Sequence, residues 1–350
     1  MQPVQKSPLT SLRTADFDYD LPPDLIAQSP LENRDQCRLL VLNRQSGTVS
    51  HRRFDELPRL LRPGDLLVLN DSRVIPARLY GRKPSGGRVE VLLTRRCRPD
   101  SWLALTQPGL HVGQTVLFPT GLSANVETIE EDGQRRLRFD RSSSDLDHAI
   151  HEVGVMPIPP YIRKPLERPE FYQTVYAREE GSVAAPTAGL HFSPALLDEL
   201  RSAGVEMAFL TLHVGVGTFR PIKTAEVGQH QMHAEWFRVT PDAANQINQA
   251  RTARRRVIAV GTTVVRTLES VVGPNGQIQP TEGETSLFIV PGHRFRAIDA
   301  MITNFHLPRS TLLMLVAAFA GRERILAAYR EAVVQRYRFY SFGDAMLIES

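Results

Sequence analysis

Five histidines sit in stretches rich in small and polar residues: His191 at the end of "EEGSVAAPTAGLHFSP", His213 in "LHVGVGTFRP", His230 and His233 in "HQMHAEWF", and His306 in "TNFHLPRS". An imidazole titrates near neutrality, so His191, His213 and His306 are candidate general acids and bases. Imidazole with carboxylate is also a zinc ligand set, which His230, His233 and Glu235 could supply. However, "GQHQMHAEWFRV" reads as extended rather than helical and no HExxH occurs, so a metal-dependent hydrolase is the weaker reading and His230 has the plainer one of a buried structural histidine.

Anion-binding signals are partial. Gly215 and Gly217, followed by Thr218, begin like a dinucleotide fingerprint, but Arg220 stands where the third glycine belongs, and no GxxxxGK[ST] loop is present. Neither NAD nor ATP binding is written here. In "RRVIAVGTTVVRTLES", by contrast, Gly261 and the hydroxyls of Thr262 and Thr263 open a helix that carries Arg266, an arrangement suited to an anion.

The elements around these residues follow one scheme. Ser193 is a good N-cap, Pro194 fits the first helical position, Leu196, Leu197 and Leu200 form an apolar stripe, and Gly204 can close the helix. "VEMAFLTL" then reads as a buried strand ending at His213. The strand predicted over Val257–Val260 leads to Gly261, and "AIDAMITNFHLPRSTLLMLVAAFAG" places Asn304, His306 and Arg309 between a strand and a helix capped by Ser310. Each loop alone can be explained as a tight turn. Together they are polar loops at equivalent ends of successive strand–helix units, where open α/β sheets bind ligands.

From about Val74 to Met156 the texture differs: "ARLYGRK", "GRVEVLLTRR", "SWLALTQ", "QTVLFP", "NVETIEED" and "RRLRFD" read as short strands in a small antiparallel barrel or sandwich. "MPIPPYIRKP" then marks a boundary. The longest apolar run, Leu312 to Ala320, is less than half of the roughly 20 residues needed to cross a membrane. The N-terminus lacks an apolar signal region, and Cys37 and Cys97 are too few for a disulfide framework, so a cytoplasmic location without membrane contact is expected.

The net charge of +4 permits a polyanionic partner. Basic residues cluster at Arg251, Arg254, Arg255 and Arg256, at Arg294 and Arg296, and in "YREAVVQRYRFYSF", where Arg330, Arg336 and Arg338 interleave with Tyr329, Tyr337, Phe339 and Tyr340. That mixture suits RNA and equally a solvated helix face. A noncatalytic RNA-binding protein is therefore a rival to any enzyme.

The stretches "NDSRVIPARLYG", "YQTVYAREEGSVAAPTAGLHF", "LHVGVGTFRP", "HQMHAEWF", "VGTTVVRTLES", "TNFHLPRSTLLMLV" and "YRFYSFGDAMLI" closely resemble the S-adenosylmethionine:tRNA ribosyltransferase-isomerases of queuosine biosynthesis. The resemblance runs from Phe17 to Ile348 and leaves the first dozen residues as an expected extension. It implies a large α/β domain, residues 1–73 and 157–350, interrupted by a small antiparallel β-barrel domain at 74–156. It also implies that S-adenosylmethionine serves as ribosyl-donor substrate, with no metal or redox cofactor. The ribosyl group would move to 7-aminomethyl-7-deazaguanine at the wobble position of tRNA with a G-U-N anticodon, giving epoxyqueuosine-tRNA, adenine and methionine. A monomer is expected.

Carried onto that reaction, His191 and His213 are the first choices for acid and base and His306 the third. The bare loop of Ser182, Ala185, Pro186, Thr187, Ala188 and Gly189 would let backbone approach the substrate. Gly215, Gly217, Thr218, Gly261, Asn304 and Arg309 would complete the pocket. Thr262, Thr263 and Arg266 would hold the methionine carboxylate, and Glu235 would bond ribose hydroxyls or orient His233. Asp71, Arg73, Arg338, Tyr340, Ser341 and Asp344 would face tRNA, with a turn residue and a surface carboxylate as the plain alternatives for Asp71 and Asp344.

Overall fold

Residues 12–215, 222 and 224–350 are described by the structure, a computed structural model. Four runs, Leu66–Asn70, Glu206–Leu212, Val257–Val260 and Ala300–Asn304, are apolar at nearly every position and mostly buried, as strands covered on both faces must be. They pair in parallel at the centre of a nine-stranded sheet. Its order is Thr281–Thr285, Glu235–Val239, Glu206–Leu212, Leu66–Asn70, Val257–Val260, Ala300–Asn304, Ala345–Glu349, Arg38–Asn43, Val49–Arg53. Ala345–Glu349 runs antiparallel to Ala300–Asn304 and parallel to Arg38–Asn43. One edge of the sheet therefore gathers the C-terminal ends of the four central strands and the starts of Glu235–Val239, Ala345–Glu349 and Arg38–Asn43.

The alternation of side chains along each strand feeds two cores. Leu66, Val68, Ala208, Leu210, Val257 and Ala259 face the helices Pro241–Thr252, Thr262–Val271, Thr311–Ala320 and Arg322–Val334. Leu67, Leu69, Ile258, Val260 and Ile302 face the helix Pro194–Ser202. The predicted local signals are in place: Ser193 Oγ accepts the Leu196 N–H at 3.1 Å, Ser310 Oγ accepts the Leu313 N–H at 3.2 Å, and Gly204 and Gly261 adopt φ of +81° and +92°.

Strands Arg78–Arg82, Arg88–Arg98, Ser101–Gln107, Arg135–Phe139, Ser123–Ile129 and Thr115–Leu117 pair antiparallel in that order and close into a barrel where Arg82 meets Leu117. The helix Ser143–Val153 packs Leu146, Ala149 and Ile150 into the barrel core. Its apolar residues fall at positions 146, 149, 150 and 153, a helical spacing that the surrounding strand texture obscured. The chain enters and leaves the barrel side by side, because Gly154–Val155 pairs antiparallel with Arg78 and Leu79, and farther on Glu179–Ser182 pairs in parallel with Ser72–Val74.

The aromatic side chains of the C-terminal aromatic-basic run are interior rather than a surface for bases, while Arg330 and Arg336 remain exposed. Tyr329, Tyr337 and Phe339 are at most 1% exposed and pack edge-on or tilted around Phe305. Arg336 pairs with Asp24, and Arg338 donates to Ser29 O and, through its backbone, to Asp344. Arg256 joins Asp65 and Glu349, and Arg255 joins Glu206. Among the described residues no helix is long and apolar enough to cross a membrane.

Asp65 is 3% exposed and accepts from both Arg256 and the Arg62 N–H. Asp65→Ala leaves the partly buried guanidinium without its main partner and should lower unfolding free energy by about 3 kcal/mol. Urea unfolding tests this, and an unchanged midpoint would show that the pair does not hold this end of the sheet.

Candidate active site

The shared sheet edge opens into two neighbouring clefts. The narrower one is bounded by Ala185–Ala188, Val214, Gly261–Thr263, Thr303–Leu307, Tyr161, Tyr340 and Ser341. Three of the predicted polar loops thus meet, together with Tyr340 and Ser341, which the sequence reading assigns to tRNA. The N-terminus of the ten-residue helix Thr262–Val271 faces this cleft, so unpaired backbone N–H groups and two hydroxyls suit an anion there. The wider cleft, about 640 Å³, lies between the large sheet and the barrel. His213, Gly215, Glu235, Trp236, Glu180 and Gly181 line one side, and Arg95, Arg96, Trp102 and Arg136 of the barrel line the other. Val214 and Ser182 form the wall between them, with Ser182 Oγ accepting the Val214 N–H at 2.9 Å and donating to Ala184 O at 2.6 Å.

The three candidate histidines have different surroundings. His191 is 3% exposed, and both ring nitrogens are engaged, Nδ1 with Cys37 Sγ at 3.2 Å and Nε2 with the Asn304 amide nitrogen at 3.0 Å. Since the amide N–H donates, Nε2 accepts and the proton is assigned to Nδ1. Burial, with Arg34 and Arg338 adding to it, pushes the pKa down to about 3. His306 borders the narrower cleft: its Nε2 meets Thr303 Oγ1 at 2.8 Å, and burial takes its pKa down to about 3. His213 is different. Its ring stacks on Trp236 at 4.8 Å and 19°, borders the wide cleft, and its Nδ1 has no hydrogen-bond partner among the described residues. Burial lowers its pKa to about 4, opposed by Glu179 and assisted by Arg238.

The expectation that placed His191 first is thereby reordered: both its nitrogens are engaged within the protein, whereas the His213 ring borders the wide cleft with a buried, unpaired Nδ1. Gly181, which sequence reasoning missed, seats that ring. Its φ is +139°, and a Cβ there would lie 2.7 Å from His213 Nε2. The bareness of Gly189 has a structural cause, because a Cβ would meet the Tyr176 hydroxyl at 2.0 Å, and Gly189 lines neither cleft. Tyr161, inside the proline-rich boundary, was also missed; its hydroxyl meets Ser341 Oγ at 2.5 Å.

Several expected contacts are engaged within the protein. Arg266 lines neither cleft; its guanidinium pairs with buried Glu235 and donates to Leu287 O at 3.1 Å and Thr285 O at 3.3 Å. Glu235 also accepts the Gly215 N–H at 2.9 Å, which fixes the end of the described 213–215 segment rather than orienting His233. Arg309 pairs with Asp18 away from both clefts. Asp71 is 5% exposed, bonded to Arg178 and Thr211 at 2.8 Å, and Asp344 is 2% exposed, bonded to Arg38 and the Arg338 N–H. These carboxylates are therefore interior ties and not a tRNA surface. Arg73 is half-exposed beside Glu180. Gly217 and Thr218 lie outside the described residues. Among the described residues no three His, Cys, Asp or Glu side chains gather as metal ligands; His230 packs on Phe288, and His233 lies 4.0 Å from Asp132.

The buried rings give a pH dependence with a definite sign. His191 remains neutral in the fold down to about pH 3, whereas in the unfolded chain it binds a proton near pH 6.5. Its contribution to stability is fully present above pH 6.5 and is lost as pH falls towards 3, at about 1.4 kcal/mol per pH unit. Urea titrations should show a slope shallower by about one proton between pH 4 and 6 in His191→Gln; equal slopes would overturn the assignment.

Residues 14–348 match the family described as "Queuosine biosynthesis protein". The S-adenosylmethionine:tRNA ribosyltransferase-isomerase of Moorella thermoacetica is 56% identical over 341 residues, covering 96% of this chain and 100% of that protein. Its namesake from Symbiobacterium thermophilum is 54% identical over 340 residues, with the same two coverages. A crystal structure of S-adenosylmethionine tRNA ribosyltransferase from Thermotoga maritima is 42% identical and aligns with a TM-score of 0.55 over 95% of this chain and 99% of its own. With its sheet-edge clefts and near-complete match, the chain belongs to the queuosine biosynthesis protein family and is an enzyme of the transferase class.

Proposed function

We propose that this enzyme transfers and isomerises the ribosyl group of S-adenosylmethionine onto 7-aminomethyl-7-deazaguanine at the wobble position of tRNA with a G-U-N anticodon, giving epoxyqueuosine-tRNA, adenine and methionine. The names of the relatives support the reading. The observation in this chain that carries it is the meeting of two clefts at His213–Gly215, one able to anchor a carboxylate and the other broad enough for a nucleobase. On this reading residues 1–73 and 157–350 form the catalytic domain, 74–156 form an inserted barrel domain, and the enzyme works as a cytoplasmic monomer. S-adenosylmethionine enters as substrate, and no resident cofactor is invoked.

The roles follow from position. The N-terminus of helix Thr262–Val271, with Thr262 and Thr263, holds the methionine carboxylate. The sulfonium acidifies the neighbouring C5′ protons of the ribose. His213, whose ring borders the wide cleft and is neutral at pH 7, removes one, and adenine departs, taking up a proton as its bond to the ribose breaks. The aminomethyl group of the tRNA base then attacks, and methionine leaves as the epoxide closes. Arg266 and Glu235 keep the 213–215 segment in place for these steps.

S-adenosylmethionine labelled separately in ribose and methyl, incubated with tRNA carrying the aminomethyl base, should move only ribose label into tRNA and release adenine. Methyl transfer would mean a methyltransferase, and no transfer of either label would favour an RNA-binding protein. His213→Ala should lower kcat by at least about a hundredfold with tRNA affinity unchanged, as loss of a general base does. Normal turnover in that variant would remove His213 from the chemistry.

A further inference from the structure

The barrel carries an exposed face that neither cleft uses. Of seven large apolar side chains exposed among the described residues, Tyr80, Val112, Leu117, Ile129 and Val155 belong to the barrel strands, their loops or the strand Gly154–Val155 paired to them, and Tyr80, 53% exposed, is the one aromatic. Along Arg78–Arg82 the side chains alternate, with Leu79 and Gly81 inward and Tyr80 and Arg82 outward. Arg82 lies directly opposite Arg88 on one neighbouring strand and opposite Leu117 on the other. The hairpin that joins the strands is "KPSGG", held by Lys83 N–H to Gly87 O at 2.8 Å, and nothing lies within 4 Å of where a Gly86 Cβ would project.

Charge pairing varies over the barrel, and Arg98 and Arg135 elsewhere on it also form no ion pair with a described carboxylate. Arg78, Arg95, Arg96 and Arg136 of the same barrel each have a carboxylate partner. Arg82, Lys83 and Arg88 form no ion pair with any described carboxylate, and Arg82 reaches only Gly86 O at 3.1 Å. Two like charges directly opposite across a strand pair work against folding. The aromatic rings of the C-terminal run that resembled an RNA surface in the sequence are buried, which leaves this corner as the place, among the described residues, where an exposed aromatic ring and unneutralised cations coincide.

We propose that Tyr80, Arg82, Lys83 and Arg88 form a docking face for tRNA, the three cations meeting backbone phosphates and the tyrosine ring stacking on an unpaired base. Phosphate contacts of this kind give affinity and orientation without reading sequence, and aromatic stacking tolerates any base. The face deepens the function proposed above, on which it rests for its partner: it holds the body of the tRNA while the clefts act on one nucleotide.

The test is filter retention of an unmodified G-U-N tRNA transcript by the full chain across a potassium chloride series. The triple variant Arg82→Gln, Lys83→Gln, Arg88→Gln should bind at least about tenfold more weakly at 0.1 M salt, with a log K against log salt slope shallower by about two to three. Tyr80→Ala should weaken binding about fivefold or more with the slope unchanged. The triple variant should melt at or above the wild-type temperature because a like-charge pair is gone, so lost binding is not lost folding. Unchanged affinity and slope, or loss of binding to anionic vesicles but not to tRNA, would overturn the proposal. If the wild type binds tRNA in this way but leaves S-adenosylmethionine intact, the transfer reading fails and the face stands. If ribose transfer proceeds with an unaltered KM for tRNA in the triple variant, the face fails and the transfer reading stands.

Discussion

One side-chain amide, that of Asn304, holds the sheet-edge site together. Its nitrogen donates to His191 Nε2 at 3.0 Å and to Tyr340 O at 3.1 Å, and its oxygen lies 3.1 Å from the Thr187 hydroxyl that donates to it. Three segments far apart in sequence are thereby fixed to the end of one buried strand. Because the residue is 3% exposed, water does not compete for these bonds, and each unsatisfied group would cost on the order of 1–3 kcal/mol. The neutrality of His191 belongs to the same arrangement: a protonated ring would turn an N–H toward the amide N–H. What had looked like a reactive histidine is the polar pin of a wall.

The amide of Asn70 acts similarly two strands away. It donates to Leu212 O at 2.9 Å and accepts the Leu212 N–H at 3.0 Å, continuing the ladder beyond the last regular strand pair. Its nitrogen also lies 3.4 Å from Thr263 Oγ1. The 213–215 segment is anchored from its other side by the buried Arg266–Glu235 pair. A buried ion pair contributes little net stability, but it fixes geometry, and here it fixes the backbone beside His213. The wall is rigid where the clefts meet.

The frame was legible because burial and periodicity are local properties of a sequence. Val257–Val260, Gly261 and the helix after it, or Ser193, Pro194 and Leu196–Leu200, announce strand, turn and cap within a few residues. The polar loops at one sheet edge were likewise readable, since parallel strands must end together. The partners were not. Nothing near Cys37 in sequence points to His191, nothing near Gly181 to His213, and nothing near Tyr176 to Gly189; these contacts arise only when distant segments pack. For the same reason Asp71, Asp344 and the tyrosines of the C-terminal run looked like surface chemistry while being interior, and the helix Ser143–Val153 was hidden among strands.

The strand order also bears on how the molecule is made. Arg38–Asn43 lies beside Ala345–Glu349, and Leu66–Asn70 pairs with segments that begin at residues 206 and 257. Such pairings impose a large loop-closure entropy, and folding rates fall as contacting residues become more distant along the chain. During synthesis the early strands wait without their neighbours, and the barrel, whose strands all lie between residues 78 and 155, has every barrel pairing partner long before they do. The barrel is thus the natural first folding unit, and the edge that holds Asn304 and His191 is assembled only once residue 345 has emerged.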